Sequence, residues 1–245
     1  MSGSARVPNT RQDLQRIVAA ISIALAPLSY ASTATYLFVT RDSADGLLDP
    51  GFMLDLSRGA QRLFALSMCF DALGLYTLLL VVGGYLWARL RPTSNGLDDV
   101  AVLGLGLFSA LGITGAMLVA VALPTLSRAH AAADPATRAA AEVTWAISSS
   151  VERGLWVFEY LPLAVWCLAT APRLRSLGMR HGWMLTTVGA ASALFFAGGV
   201  LQLLGVVPED DSVLVEAPAL LGLAVTPLWA LLSGFDLLCG DTSTG

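Results

Sequence analysis

Three carboxylic acids in this chain stand where acids are costly. Asp71 falls inside the apolar run 63–88, and Glu152 and Glu159 fall inside the run 145–171. A charge at the centre of a bilayer is expensive, so an ionisable side chain there is a functional group by default, with a partner to be found. Three kinds of chemistry are open to such acids: binding a cation, passing a proton, or protonating a substrate. A carboxyl kept neutral by low dielectric is a proton donor at neutral pH. Asp71 and Glu159 are each the only acid well inside their runs, which makes them the candidate catalytic residues. Trp145, Ser149, Glu152, Trp156 and Glu159 follow one another at spacings of 4, 3, 4 and 3, which lines them up on one helix face. Arg153, Gln202 and Tyr36 fall toward the same end of their runs. The expected ligand-binding set is therefore Asp71, Glu152, Arg153, Trp156, Glu159, Gln202 and Tyr36, around a polar pocket between helices. A purely structural arrangement is the alternative. There Arg153 pairs with Glu152 or Asp71, Glu159 bonds a hydroxyl such as that of Tyr160 or Thr114, and Asp236 reaches the interface from the end of the last run.

Several other chemistries are excluded. All 14 basic residues are arginine, so no lysine exists to form a Schiff base. His130 and His181 are the only histidines, and both lie in or beside loops, so a bis-histidine haem within the bundle is out. Cys69, Cys167 and Cys239 show no CxxC spacing and read as small apolar packing residues. Asp98-Asp99 lacks a further acid at the DDxxD position, which is Val102, and reads as a helix cap. No P-loop, GxSxG or dinucleotide fingerprint is present. No metal, cofactor or nucleic acid partner is expected.

The elements that must position these acids follow from composition. Of 245 residues, 56% are hydrophobic and only 13% charged, with mean hydropathy +0.69. A soluble domain carries about 25% charged residues. Six apolar runs, at 17–40, 63–88, 100–126, within 145–171, 183–207 and 217–238, each suffice to cross a bilayer, which takes about 20 helical residues. None shows the period-two alternation of a membrane barrel strand, so the spans are helices. The fold class is all-α, a polytopic membrane bundle of six transmembrane helices. Residues 1–14 read as a cytoplasmic tail, 15–240 as a single six-helix transmembrane domain, and 241–245 as a second cytoplasmic tail. Arg11 and Arg16 ahead of the first run also fit a signal peptide, but that run has the length of a span.

Loop arginines set the orientation. With the N-terminus in the cytoplasm, Arg6, Arg11, Arg16, Arg89, Arg91, Arg173, Arg175 and Arg180 lie inside. Arg41, Arg58, Arg62, Arg128 and Arg138 lie outside, with Arg153 at the membrane edge. The expected location is a bacterial-type cytoplasmic membrane with both termini cytoplasmic, and the pocket facing outward. In the outer loop 41–62, Asp49-Pro50-Gly51 signals a turn before a short interfacial helix. In the loop 127–144, Asp134 is a natural N-cap with Pro135 at the first helical position, so the fourth helix starts before the bilayer. Small residues at packing spacing, Gly106 with Ala110, Gly112 with Ala116, and Gly189 with Ala193 and Ala197, let helices approach closely.

The layout resembles a widespread bacterial domain-of-unknown-function family of six-helix membrane proteins. The likeness lies in the Arg-rich turn Trp87-Ala88-Arg89-Leu90-Arg91 after the second span and in Leu177-Gly178-Met179-Arg180-His181-Gly182-Trp183 before a Gly-rich fifth span. It implies a fold and no activity. The chain is also similar in length and hydropathy to the small membrane-bound terpenoid cyclases of meroterpenoid pathways, which use a buried carboxylic acid to protonate an alkene or epoxide. That likeness would give Asp71, Glu159 or Asp236 the acid's role and Trp145, Trp156 or Trp166 a carbocation-stabilising one. It departs in having six runs rather than seven spans.

The leading expectation is a binding, transport-like or accessory membrane protein taking a small or lipophilic ligand, and the rival is an intramembrane acid-catalysed enzyme. The orientation is checked by cysteine labelling in a cysteine-free background. A membrane-impermeant thiol reagent on intact cells should modify Ser43→Cys and spare Ser94→Cys. The reverse pattern would invert the topology.

Overall fold

Helix formation over the apolar runs is imposed by lipid, which offers no partner to a free backbone N–H or C=O. In the structure, a computed structural model that describes residues 10–42, 46–93, 96–132, 134–177, 179–207 and 212–239, the described residues contain no strand. The helices are α1 (Thr10–Thr40), α2 (Pro50–Leu54), α3 (Arg58–Asp71), α4 (Leu78–Leu90), α5 (Leu97–His130), α6 (Pro135–Leu174), α7 (Gly182–Leu203) and α8 (Ser212–Cys239). A π-helical segment, Ala72–Thr77, joins α3 to α4 without a break, so the pair forms one span. Six helices are then long and apolar enough to cross a membrane, as the sequence requires. Their outer surface is apolar, with Leu103 and Val121 each more than two thirds exposed. Such a girdle is a liability in water and ordinary against lipid. The chain is a multi-pass membrane protein.

The spans form a closed ring in chain order. α1 packs on α3, α3 and α4 on α5, α5 on α6, α6 on α7, α7 on α8, and α8 returns to α1. Lipid tails are as apolar as leucine, so this ring is held by close packing rather than by exclusion of water. Glycine provides the approach. A Cβ at Gly74 would fall within 2.9 Å of Leu28 and closer still to the Ser29 backbone, which is how tightly the π segment meets α1. Gly189 of α7 stands against Cys167 and Leu168 of α6, and Gly199 against Val157. Gly106, read from its spacing as a packing residue, has open space where its Cβ would be. Ser32 ties α1 to α3 by donating to the Ser67 carbonyl at 2.8 Å.

One end of the bundle carries a second apolar core. The short helix α2 starts at Asp49, whose side chain accepts from the Phe52 N–H at 3.0 Å, and it buries Met53 and Leu54 completely. The sequence suggested an interfacial helix here. A short helix does lead into α3, and its Met53 and Leu54 pack inward beside Phe64, Leu123 and Trp145. Trp145 is fully buried and its indole N–H donates to the Leu47 carbonyl at 3.0 Å. His130 has a carboxyl oxygen at each ring nitrogen, Asp55 at 3.2 Å and Glu142 at 2.8 Å, which pins this cap to the corner between α5 and α6. At that corner Asp134 accepts from Thr137 Oγ1 at 2.6 Å and from the Thr137 and Ala136 N–H groups, and α6 begins at Pro135 as expected. The Thr137 side chain and those N–H groups hold the Asp134 carboxyl below its ordinary range.

The opposite end is closed by polar ties. Gln15 donates to the Leu237 carbonyl at 2.6 Å, joining the start of α1 to the finish of α8. Arg173 pairs with Asp98 and donates to Thr93, and Trp87 donates to Asp99 at 2.7 Å. The acid pair thus lies in the first turn of α5, as its N-terminal dipole favours, but binds neighbouring elements rather than capping its own helix. Asp236, expected to reach the interface, meets His181 Nδ1 at 2.9 Å. The expected tail 1–14 is helical from Thr10 onward. The rest of that tail, the tail 241–245, and Asp45, Glu209, Asp210 and Asp211 lie outside the described residues.

Gly74→Ala should therefore cost about 1–3 kcal/mol through overpacking against α1, whereas Gly106→Ala should be neutral or stabilise by about 0.5–1 kcal/mol. Denaturant unfolding of the purified protein in micelles measures both.

Candidate functional site

The face predicted on α6 exists. The helix runs unbroken through 145–159, and the 3- and 4-residue steps carry Trp145, Ser149 and Glu159 inward. Glu159 is 1% exposed near the middle of its span. A carboxyl so placed needs a partner, and the partner is Tyr76 of the π segment, whose hydroxyl donates to Glu159 Oε1 at 2.7 Å. The other carboxyl oxygen, Oε2, is buried and has no hydrogen-bond partner among the described residues. One half of the acid is anchored and the other half is free.

The π segment is what brings Tyr76 there. Asp71 and Tyr76 are five residues apart, and on an α-helix, at about 100° per residue, they would point well away from each other. Over Ala72–Thr77 the bonding becomes i to i+5, with the Leu78 N–H reaching the Leu73 carbonyl. Residues five apart then lie about one turn apart on the same side. Side chains add hydrogen bonds to two carbonyls of this segment. Thr77 donates to the Ala72 carbonyl at 2.8 Å, and Ser109 of α5 to the Tyr76 carbonyl at 3.2 Å.

Helix α5 supplies the space. Gly112 and Gly115 share a face at a spacing of three. A Cβ at Gly112 would stand inside the Tyr76 ring, and one at Gly115 would come within 3.4 Å of Glu152 Cγ. The two missing side chains are the slots that receive Tyr76 from the π segment and Glu152 from α6. Glu152 and Glu159 on α6 and Asp71 at the end of α3 lie in the half of the membrane-spanning core toward the cap and at its middle.

Aromatic rings pack on Tyr76 and along the same stretch of α6. Tyr76 packs on Phe108 at 5.0 Å between centroids. Phe195 of α7 packs on Tyr160 at 4.5 Å and edge-on to Trp156 at 4.9 Å. Trp156 is the one partly exposed ring of the five, at the seam between α6 and α7.

The remaining predicted residues are held by partners of their own. Arg153 turns to Gln202 of α7, its Nη2 at 3.5 Å from the amide oxygen, and not to Asp71. Tyr36 belongs to the cap core, with its ring 6.4 Å from that of Phe64. An open cleft of about 760 Å³ also lies at the cap end, lined by Phe38, Arg41, Asp49 and Phe52 among others, and does not reach the acids. Among the described residues no group of three or more His, Cys, Asp or Glu is placed to hold a metal ion. Tyr76, Phe108 and Phe195 are the site residues that sequence reasoning missed. The available signal was a tyrosine deep within an apolar run, one turn from no acid on an α-helix but one turn from Asp71 on a π-helix.

No family model, curated protein or solved structure matches the chain.

Tyr76→Phe leaves both oxygens of a buried carboxyl unpartnered and should cost about 1–3 kcal/mol of stability. Glu159→Gln keeps an acceptor for Tyr76 and should cost less. Unfolding midpoints of the two variants, compared in the same detergent, test the ordering, and a silent Tyr76→Phe would mean that the bond anchors nothing.

Proposed function

We propose that this chain is a ligand-binding, transport-like protein of the cytoplasmic membrane, whose working site is the intramembrane group Asp71, Glu152 and Glu159 with Tyr76. The observation that carries the reading is the half-anchored carboxyl of Glu159. A structural acid would have both oxygens satisfied, since a buried oxygen without a partner costs about 1–3 kcal/mol. Here Tyr76 orients one oxygen, and the other is left for something that is not protein. Asp71 and Glu152 lie on the cap side of Glu159 and offer a stepwise polar approach from that side. The arginine distribution favours a cap outside and both termini in the cytoplasm, and in that orientation the site loads from outside or from the outer leaflet.

A second reading is an intramembrane acid-catalysed enzyme, with Glu159 as the acid and the aromatic wall stabilising a carbocation. The rings of Trp156, Tyr160 and Phe195 favour it. The two readings differ in what survives at the site, because a binding protein returns its ligand unchanged and an enzyme does not.

Both require a reactive carboxyl reachable from the bilayer. Dicyclohexylcarbodiimide partitions into membranes and reacts with carboxyl groups there. Peptide mass analysis after treatment should find the adduct on Glu159 or Asp71, lost respectively in Glu159→Gln or Asp71→Asn. Both variants should still fold and insert. Labelling confined to the cap carboxyls would refute the site.

A further inference from the structure

At the corner where α2, α5 and α6 meet, the cap is held by a hydrogen-bond pattern that needs one proton to be complete. His130 is the last residue of α5 and is buried. Asp55 Oδ1 lies 3.2 Å from its Nδ1, and Glu142 Oε1 lies 2.8 Å from its Nε2. A neutral imidazole has one N–H and one lone pair, and an ionised carboxylate can only accept. Two carboxylates therefore cannot both be bonded to a neutral ring. Both contacts become hydrogen bonds only when the three groups share one further proton. It sits either on the ring, as an imidazolium between two carboxylates, or on one carboxyl that then donates to the ring. Without it, a lone pair faces a carboxylate oxygen.

Among the described residues, no other charge at this corner is bonded to either acid. Arg138 of α6 donates to the His130 backbone carbonyl at 3.2 Å, Arg128 of α5 donates to the Pro124 carbonyl at 3.1 Å, and Asp134 is taken up by Thr137. The second histidine shows the contrast. His181 meets a single carboxyl, Asp236, through Nδ1, which a neutral ring satisfies. The two ties of His130 are also unequal. The Asp55 contact is the longer, and its side chain is 75% exposed against 44% for Glu142, so Asp55 is the partner that lets go. Asp55 ends α2, and with Gly51 and Phe52 it lines the open cleft at the cap that Phe38 and Arg41 also line. We infer that Asp55, His130 and Glu142 form a proton-linked latch, which holds α2 and its side of the cleft against the α5–α6 corner while the shared proton is bound and releases Asp55 when it leaves. Closing takes up a proton, so the latch is shut at low pH and opens as pH rises.

Amide hydrogen exchange of the full-length protein in lipid nanodiscs, with the intrinsic effect of pH on exchange divided out, reads the latch. The reporters are the Met53, Asp55 and Leu56 N–H groups, which are bonded within the cap helix and its end. Their protection should fall about tenfold or more between about pH 5.5 and about pH 8.5, across the range where histidines ordinarily titrate, as one charge-assisted hydrogen bond is lost. Amides around the buried Val119 of α5 should stay protected throughout and report that the bundle is folded. Asp55→Asn offers either an acceptor or a donor to Nδ1. It should keep the protection and lose its pH dependence. Asp55→Ala should show the weaker, high-pH protection at both ends of the range, and His181→Asn should leave the profile as it is. Protection that does not change with pH in the folded wild-type protein, or that falls just as far in Asp55→Asn, overturns the latch.

Discussion

A single hydrogen bond, from the Tyr76 hydroxyl to Glu159, sets the terms for the middle of this protein. A carboxyl at that depth has few tolerable neighbours, and the chain provides one by three separate adjustments. The helix carrying Tyr76 changes its bonding register. The helix behind it gives up a side chain at Gly112 so that the ring can lie down. Ser109, one turn from that glycine, donates to the Tyr76 carbonyl.

The two ends of the bundle use a different physics from the middle. Within the spans, lipid competes on equal terms for apolar side chains, and what distinguishes protein from solvent is how closely backbones can meet. Gly74, Gly189 and Gly199 serve that purpose. At the cap the competitor is water, so an ordinary hydrophobic core forms around Met53, Phe64 and Trp145. Polar ties fix it in place: an indole on a loop carbonyl, an imidazole between two carboxyls. Glu159 lies between the two regimes, with Trp156 partly exposed at the seam between α6 and α7.

The fold was legible because a bilayer leaves so few choices. Apolar runs of adequate length become helices, and their number and order follow directly. Asp134 and Pro135 announced the start of α6 because capping is a local interaction, settled within four residues. The α6 face was legible too, since Glu152, Trp156 and Glu159 obey a helical period. Tyr76 was not, because its alignment with Asp71 depends on a π turn that no local residue type signals. Phe195 was not, because contacts between α6 and α7 depend on which sides of two apolar helices meet. Tyr36 and Gln202 were placed by depth alone, and depth does not say which way a side chain points. Which residues of α2 turn inward was not legible for a related reason: Met53 and Leu54 are equally suited to lipid and to a protein core.

The π segment carries one more residue than an α-helix of the same length would need, and this has a consequence for the lineage of the chain. Deleting a single residue between Ala72 and Thr77 would restore regular bonding, and the helix would survive. Everything on one side of the deletion would turn by about 100° relative to the other. Asp71 and the cap-end half of its span would then no longer share a side with Tyr76. A one-residue change in length, invisible to hydropathy and harmless to membrane insertion, would separate chains that keep this site from chains that keep only its architecture. Length between Asp71 and Thr77, more than identity at any position, is the character by which relatives sharing the site would be recognised.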